Sequence, residues 1–433
     1  GVWGENTSFT VNGILQINNG GAITLGSGGG KRPTYGDGST LIYNTNYNLT
    51  TTEWDQNVSS GAGVPYHVTI NNGNSVSYNG STWFRQVRGN FTNNGTFTLG
   101  GISGSDAGDL RVAGDFSGNG TFTPNSREVE FNGSGAQTVN SATTWDYLAI
   151  NNSGSGVTLA ANQTVTTRLR FGQGLLKLAG YNLTLGGSAE AVAGTLNSSN
   201  MVVADGSGAL CKQFTANGSY DYPIGDNTSG ADYSPVTSFS VSGSSYSGAA
   251  VCFRVTDAAH PNLPNNLATY ITRYWTGTQS GTIGGLSYGA TFNFVAADKV
   301  GTQDMHGKKW NGSFPWVELN AVSGNAFSGS GLTSFSDFTA FRSGVLAVTL
   351  AQFYAQQVAD HVLVTWETAS ELGNMGFNLL RGTSPAGWDR QLNGLLIPSQ
   401  SLGNPGGFVY TWEDAADLVP GTTYYYWLQD LDV

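Results

Sequence analysis

A chain of 433 residues is too long for one ordinary hydrophobic core and should divide into about two to four domains. Only 11% of its residues are charged, against roughly 25% in typical soluble domains, and its formal net charge is −11. With no basic cluster along the chain, that balance argues against nucleic acid or an anionic membrane as partner. Its 39% hydrophobic and 12% aromatic content argues against disorder.

Gly accounts for 62 residues, and Asn, Ser and Thr fill much of the remainder. These residues disfavour helix, while the Val, Thr, Phe, Tyr and Trp between them fit pleated surfaces, so the expected fold class is all-β. Residues 1 to about 190 read as short alternating runs broken by Asn-Gly and Gly-Ser turns, such as Phe9-Thr-Val-Asn-Gly-Ile-Leu-Gln-Ile-Asn-Asn and His67-Val-Thr-Ile-Asn-Asn. The Ile-Asn-Asn ending recurs, and a degenerate correspondence at roughly 80–90 residues relates Val68-Thr-Ile-Asn-Asn to Leu148-Ala-Ile-Asn-Asn. The pattern predicts a β-solenoid, parallel β-helix-like, in which neighbouring coils supply each other's core; a long β-sandwich is the alternative. Asn suits the corners because it tolerates left-handed backbone and can bond to the next coil.

From about 191 to 345 the runs lengthen and carry larger residues, as in Ala250-Val-Cys-Phe-Arg-Val and Tyr270-Ile-Thr-Arg-Tyr-Trp, which predicts a β-sandwich. Cys211 and Cys252 lie in strand-like runs of this segment, either as a disulfide or as two buried thiols. A third unit at 346–433 has strands expected at 346–355, 361–367, 376–381, 390–397, 408–412 and 423–430. Trp366 is its expected core tryptophan; Pro420 and Gly421 make a corner to which the Tyr424 hydroxyl ties back.

Several stretches carry a resemblance: Met201-Val-Val-Ala-Asp-Gly-Ser-Gly, Tyr222-Pro-Ile-Gly-Asp, Arg273-Tyr-Trp-Thr, and Leu332-Thr-Ser-Phe-Ser-Asp-Phe-Thr. Over roughly residues 125–433 the chain resembles large secreted surface or adhesin-type proteins of Bacteroidetes-like bacteria. Its last unit, with Val362-Leu-Val-Thr-Trp-Glu-Thr-Ala-Ser-Glu, looks like a fibronectin type III/Ig-like module. The resemblance implies export and an extracellular structural or adhesive role. It also implies one more edge strand than residues 346–433 supply, either from a longer polypeptide or by strand donation from a neighbour, so self-association through β edges is expected. Residues 1–20 show neither the basic nor the apolar region of a signal peptide, which places any export signal upstream or already removed. No run of about 18 apolar residues is present for a transmembrane helix.

Chemistry is sparse. Gly28-Gly-Gly-Lys31 lacks the spacing of a phosphate loop, and His67, His260, His306 and His361 are too scattered for zinc; His67 and His361 read as strand residues, His260 and His306 as loop residues. Asp106, Asp109 and Asp115 could converge on one solenoid face as calcium ligands or acid/base carboxylates, and Asp226, with Asp221 and Asp232, is a second candidate for structural calcium. No catalytic constellation and no cofactor are expected. Asn90, Asn94, Asn119 and Asn182 head glycosylation sequons, and Trp310, Trp316 and Trp388 could stack on surface glycans but suit core packing better. The leading expectation is a structural or adhesive surface protein; the other is a polysaccharide-binding or polysaccharide-cleaving β-helix protein.

Overall fold

A computed structural model describes residues 2–3, 8–25, 31–78, 83–100, 110–264, 267–312, 316–342, 348–371, 374–401 and 407–432. The fold is all-β: among the described residues the helical content is one 3-10 turn, Ala296–Asp298. The chain divides into two compact units. One comprises Gly1–Asp257, Arg273–Ala297 and Ser323–Asp337; the other comprises Ala258–Thr272, Asp298–Val322 and Phe338–Val433.

The first unit is built on a β-solenoid of about nine turns. One face stacks parallel strands in order from Ile14–Asn18, Thr40–Asn44 and His67–Ile70 through Phe91–Asn93 to Val202–Val203 and Ile224–Asp226. A second parallel face runs from Arg85–Val87 to Leu210–Gln213. Alternation sets which side chains enter the coil, and identical registers then place them above one another. Phe91 pairs with Phe116 and Phe97 with Phe122, their rings 5.4 Å and 6.2 Å apart, and Trp54 and Trp145 extend this stack. Phe91, Phe97, Trp54 and Trp145 are fully buried.

Coil corners use the predicted chemistry. The Asn71 amide donates to Asn44 at 2.9 Å and the Asn44 amide to Asn18 at 3.0 Å, an exposed ladder linking consecutive coils. Asn44→Ala removes both rungs and should cost about 0.5–1.5 kcal/mol, read as a lower urea midpoint. Gly118 shows why some corners are glycine. Its φ is 105°, and a Cβ there would sit 2.1 Å from the Asn93 carbonyl oxygen.

Two expectations change. Parallel stacking continues past residue 190, because Met201-Val-Val and Ile224-Gly-Asp supply further coils. The 80–90-residue correspondence is not a structural repeat either: His67–Ile70 lies on one face and Thr143–Asn151 on the other. Successive coils pair at separations of 19 to 29 residues. Asn-Asn belongs to corners in general, so the motif recurs on both faces.

The stack ends by changing strand direction. Leu210–Gln213 pairs antiparallel with Ser245–Thr256, which pairs antiparallel with Tyr274–Gly284. A second antiparallel sheet joins Gly218–Tyr222, Val236–Ser242, Ser287–Asn293 and Ala326–Leu332. Phe239 of that sheet meets Phe253 of the first at 5.7 Å, and Trp275 meets Phe292 at 5.4 Å.

In the second unit, strands Thr349–Val358, His361–Ser370 and Val409–Asp414 form one antiparallel sheet. Asn374–Gly382 pairs with Tyr425–Asp432 and with the short strands Arg390–Gln391 and Ile397–Pro398. The single strand expected at 390–397 is therefore broken. Asn393 fills the break with its side chain, accepting from the Leu379 amide at 2.8 Å and donating to the Phe377 carbonyl at 3.1 Å.

Candidate functional site

Asp106 and Asp109, and the glycines of the Gly28-Gly-Gly-Lys31 turn, lie outside the described residues. Asp115 accepts from the Thr138 amide at 2.7 Å, binding one coil to the next. Sequon residues Asn90 and Asn182 serve the same purpose, accepting at 2.9 Å from the Asp115 and Ala209 amides. His67 is a strand residue whose Nδ1 accepts from the Asn90 amide, and burial pushes its pKa down. His306 opens the strand His306–Trp310, where a loop was expected, and faces Glu318 at 3.0 Å.

Asp226 is placed otherwise than a calcium loop requires. It is fully buried at the end of the last parallel strand, where the Arg273 guanidinium binds it. Asp232 and Asp257 approach the same guanidinium at 3.3 Å and 3.5 Å. Burial holds the Asp226 carboxyl above its ordinary range against the pull of Arg273. Asp221 instead accepts from the Ser238 amide at 2.7 Å. The cation these carboxylates face comes from the chain itself, which is why Asp226 is not a candidate calcium ligand in this arrangement. Among the described residues no cluster of three or more His, Cys, Asp or Glu has metal-binding geometry. Cys211 and Cys252 are opposed across the junction of parallel and antiparallel strands and joined as a disulfide.

Trp366 is fully buried, stacked on Tyr410 at 5.1 Å and edge-on to Phe377 at 5.6 Å. Pro420 and Gly421 form a turn in which Gly421 takes φ 82° and the Thr422 amide bonds the Val419 carbonyl. The Tyr424 hydroxyl accepts from the Val419 amide at 2.8 Å, the tie-back read from the sequence. Trp310 and Trp316 pack on each other and on His260, whereas Trp388 is exposed.

Two features remain open to other molecules. The first is a cleft of about 640 Å³ lined by Lys212, Phe214, Asn217, Tyr220, Asp221 and Ser238. Lys212 Nζ donates to the Gly186, Gly187 and Gln213 carbonyls and lies over the Phe214 and Tyr220 rings. Burial pushes its ammonium down to about 8 from 10.5. Between those two values the unfolded chain holds a proton that the folded chain has released, so stability from this site should rise with pH across that window. Urea titrations across it should show a positive slope for the native chain that Lys212→Met removes.

The second feature is a set of sheet-edge strands that, among the described residues, pair on one side only. Among the described residues Ile14–Asn18 pairs only with Thr40–Asn44, and Tyr425–Asp432 only with Asn374–Gly382. Ile14 is 69% exposed. Such edges present unpaired backbone donors and acceptors, the chemistry that pairs one chain with another. Sequence reading pointed to the second edge through the last module. No family model, curated protein or solved structure matches this chain.

Proposed function

We propose that the chain is an extracellular structural or adhesive surface protein, a rigid solenoid continued by a β-sandwich and a fibronectin type III-like module, that self-associates through its open sheet edges. The observation that carries this reading is that, among the described residues, sheet-edge strands such as Thr349–Val358 and Val409–Asp414 pair on one side only. The Cys211–Cys252 disulfide supports an oxidising compartment. The low charge and the resemblance to secreted bacterial surface proteins support export. Negative-stain microscopy of purified native material tests the reading: regular filaments or ordered oligomers are expected, and dispersed single particles at every concentration would overturn it.

A second reading, binding of a polysaccharide, draws on the Lys212 cleft, where a cation, two aromatic rings and the polar Asn217 and Ser238 line one surface. Calorimetric titration with an acidic polysaccharide tests it, and absence of heat at millimolar sugar would remove it.

A further inference from the structure

Three strands on one side of the solenoid carry the same local pattern of hydroxyl, apolar, hydroxyl: Ser75–Ser77, Thr96–Thr98 and Thr121–Thr123. Their registers align the pattern rung by rung. Thr96 lies opposite Ser75 and Thr121, and Thr98 lies opposite Ser77 and Thr123. Val76 and Phe97 between them are fully buried, so alternation turns the flanking hydroxyl residues outward. The next coils continue the motif. Thr144 lies opposite Thr164, and Thr164 opposite Thr184, each beside one of the fully buried Trp145, Val165 and Leu185. The Phe122 and Trp145 rings, 5.4 Å apart, join the two series inside the core.

Ser75, Thr121 and Thr144 are exposed and the other residues of the array half-buried. The threonine hydroxyls of these rungs take no hydrogen-bond partner within the chain, so they are left to whatever lies outside. Charge is kept off the rungs. Arg111 pairs with Glu130 at 3.1 Å and Arg170 with Glu128 at 2.5 Å, beyond the bulge between Trp145 and Tyr147. Asp146, two residues along from Thr144, accepts from the Ser126 amide at 2.6 Å and the Thr166 hydroxyl at 2.7 Å, which ties its carboxylate to its own neighbours. Parallel pairing sets the hydroxyls about 4.8 Å apart from rung to rung and about 6.6 Å apart along a strand. Threonine holds them at those positions, because its branched side chain has few χ1 choices.

We propose that this hydroxyl face binds ice. Both of its repeats fall near the spacings of oxygen atoms at an ice surface, so water ordered on the hydroxyls continues into the crystal in register. An uncharged array that is periodic in two directions complements a partner that is neutral and periodic in the same two directions. A single sugar chain repeats in only one direction, and an ionic mineral would call for charge on the rungs. The hydroxyls are fixed by the stacked core before any contact, so little ordering remains to be done on binding. The inference does not rest on self-association, since a single chain carries the whole face.

Partitioning of the fluorescently labelled full chain into ice grown slowly on a cold finger tests the proposal. The ice should hold the native chain enriched at least about tenfold over labelled serum albumin. Thr121→Lys combined with Thr144→Lys, both at exposed positions, should abolish that enrichment. Thr158→Lys, on another face and opposite Lys177, should keep it. Far-ultraviolet circular dichroism and urea midpoints check that the variants fold, and Thr144→Lys alone serves if the double variant does not. A native chain left in the liquid like albumin, or a folded variant enriched as strongly as the native chain, would overturn the proposal. So would exclusion from ice together with retention on crystalline cellulose that the same substitutions remove, which would give the face to a polysaccharide lattice instead.

Discussion

Arg273→Leu should lose about 3–5 kcal/mol of unfolding free energy, read by urea denaturation near neutral pH. Arg273 is completely buried and is the guanidinium shared by Asp226, Asp232 and Asp257. Leucine keeps some of the packing but leaves Asp226, itself without solvent access, as an uncompensated charge. The deficit should shrink as pH falls. Burial already raises the Asp226 carboxyl, and loss of the cation raises it further in the folded variant. The variant therefore takes up its proton at a higher pH than the unfolded chain does, and it regains stability on acidification. A deficit independent of pH would place the loss in packing alone.

Reducing the Cys211–Cys252 disulfide, or replacing both cysteines with serine, should cost about 2–4 kcal/mol. The link spans a sequence separation of 41, for which loop-closure entropy sets an upper figure of about 4 kcal/mol. Both sulfurs sit in a small buried cluster with Ala209, so the serine pair adds a polar penalty that chemical reduction does not. Comparing the two separates the cross-link from the burial. An unchanged thermal midpoint on reduction would show that the strand pairing alone holds this junction.

The parts of the fold legible in the sequence were those governed by local chemistry. Period-two alternation identified strands, Asn at corners identified coils, and Tyr424 with Pro420 and Gly421 identified a turn whose hydrogen bond closes within a few residues. What depended on long-range register stayed hidden. The pairing of Cys211 with Cys252 could be left only as one of two states, because the antiparallel register joining them is set by strands far apart in sequence. Asp226 suggested a calcium ligand because its cation lies 47 residues downstream in an otherwise unremarkable Arg-Tyr-Trp-Thr run. The end of the solenoid was placed too early because side-chain size rises before the coil geometry stops. Cover, too, is invisible in one dimension. Phe353 and Ala355 alternate as on an interior face, and only the structure shows Ala355 exposed.

The junction at Cys211 has a mechanical consequence. Hydrogen bonds between coils run along the stacking direction, so tension on the solenoid along that line would open them one coil at a time, in low-force steps of 19 to 29 residues. Peeling that reaches Leu210–Gln213 would meet a covalent stop. There the load would pass through sulfur into Ser245–Thr256, bypassing the loop of separation 41 between the two cysteines. The last coil strand, the corner that follows it and Asp226, all inside that loop, would stay folded while the coils before them gave way, making the tip of the solenoid a force-shielded end stop on an extensible rod.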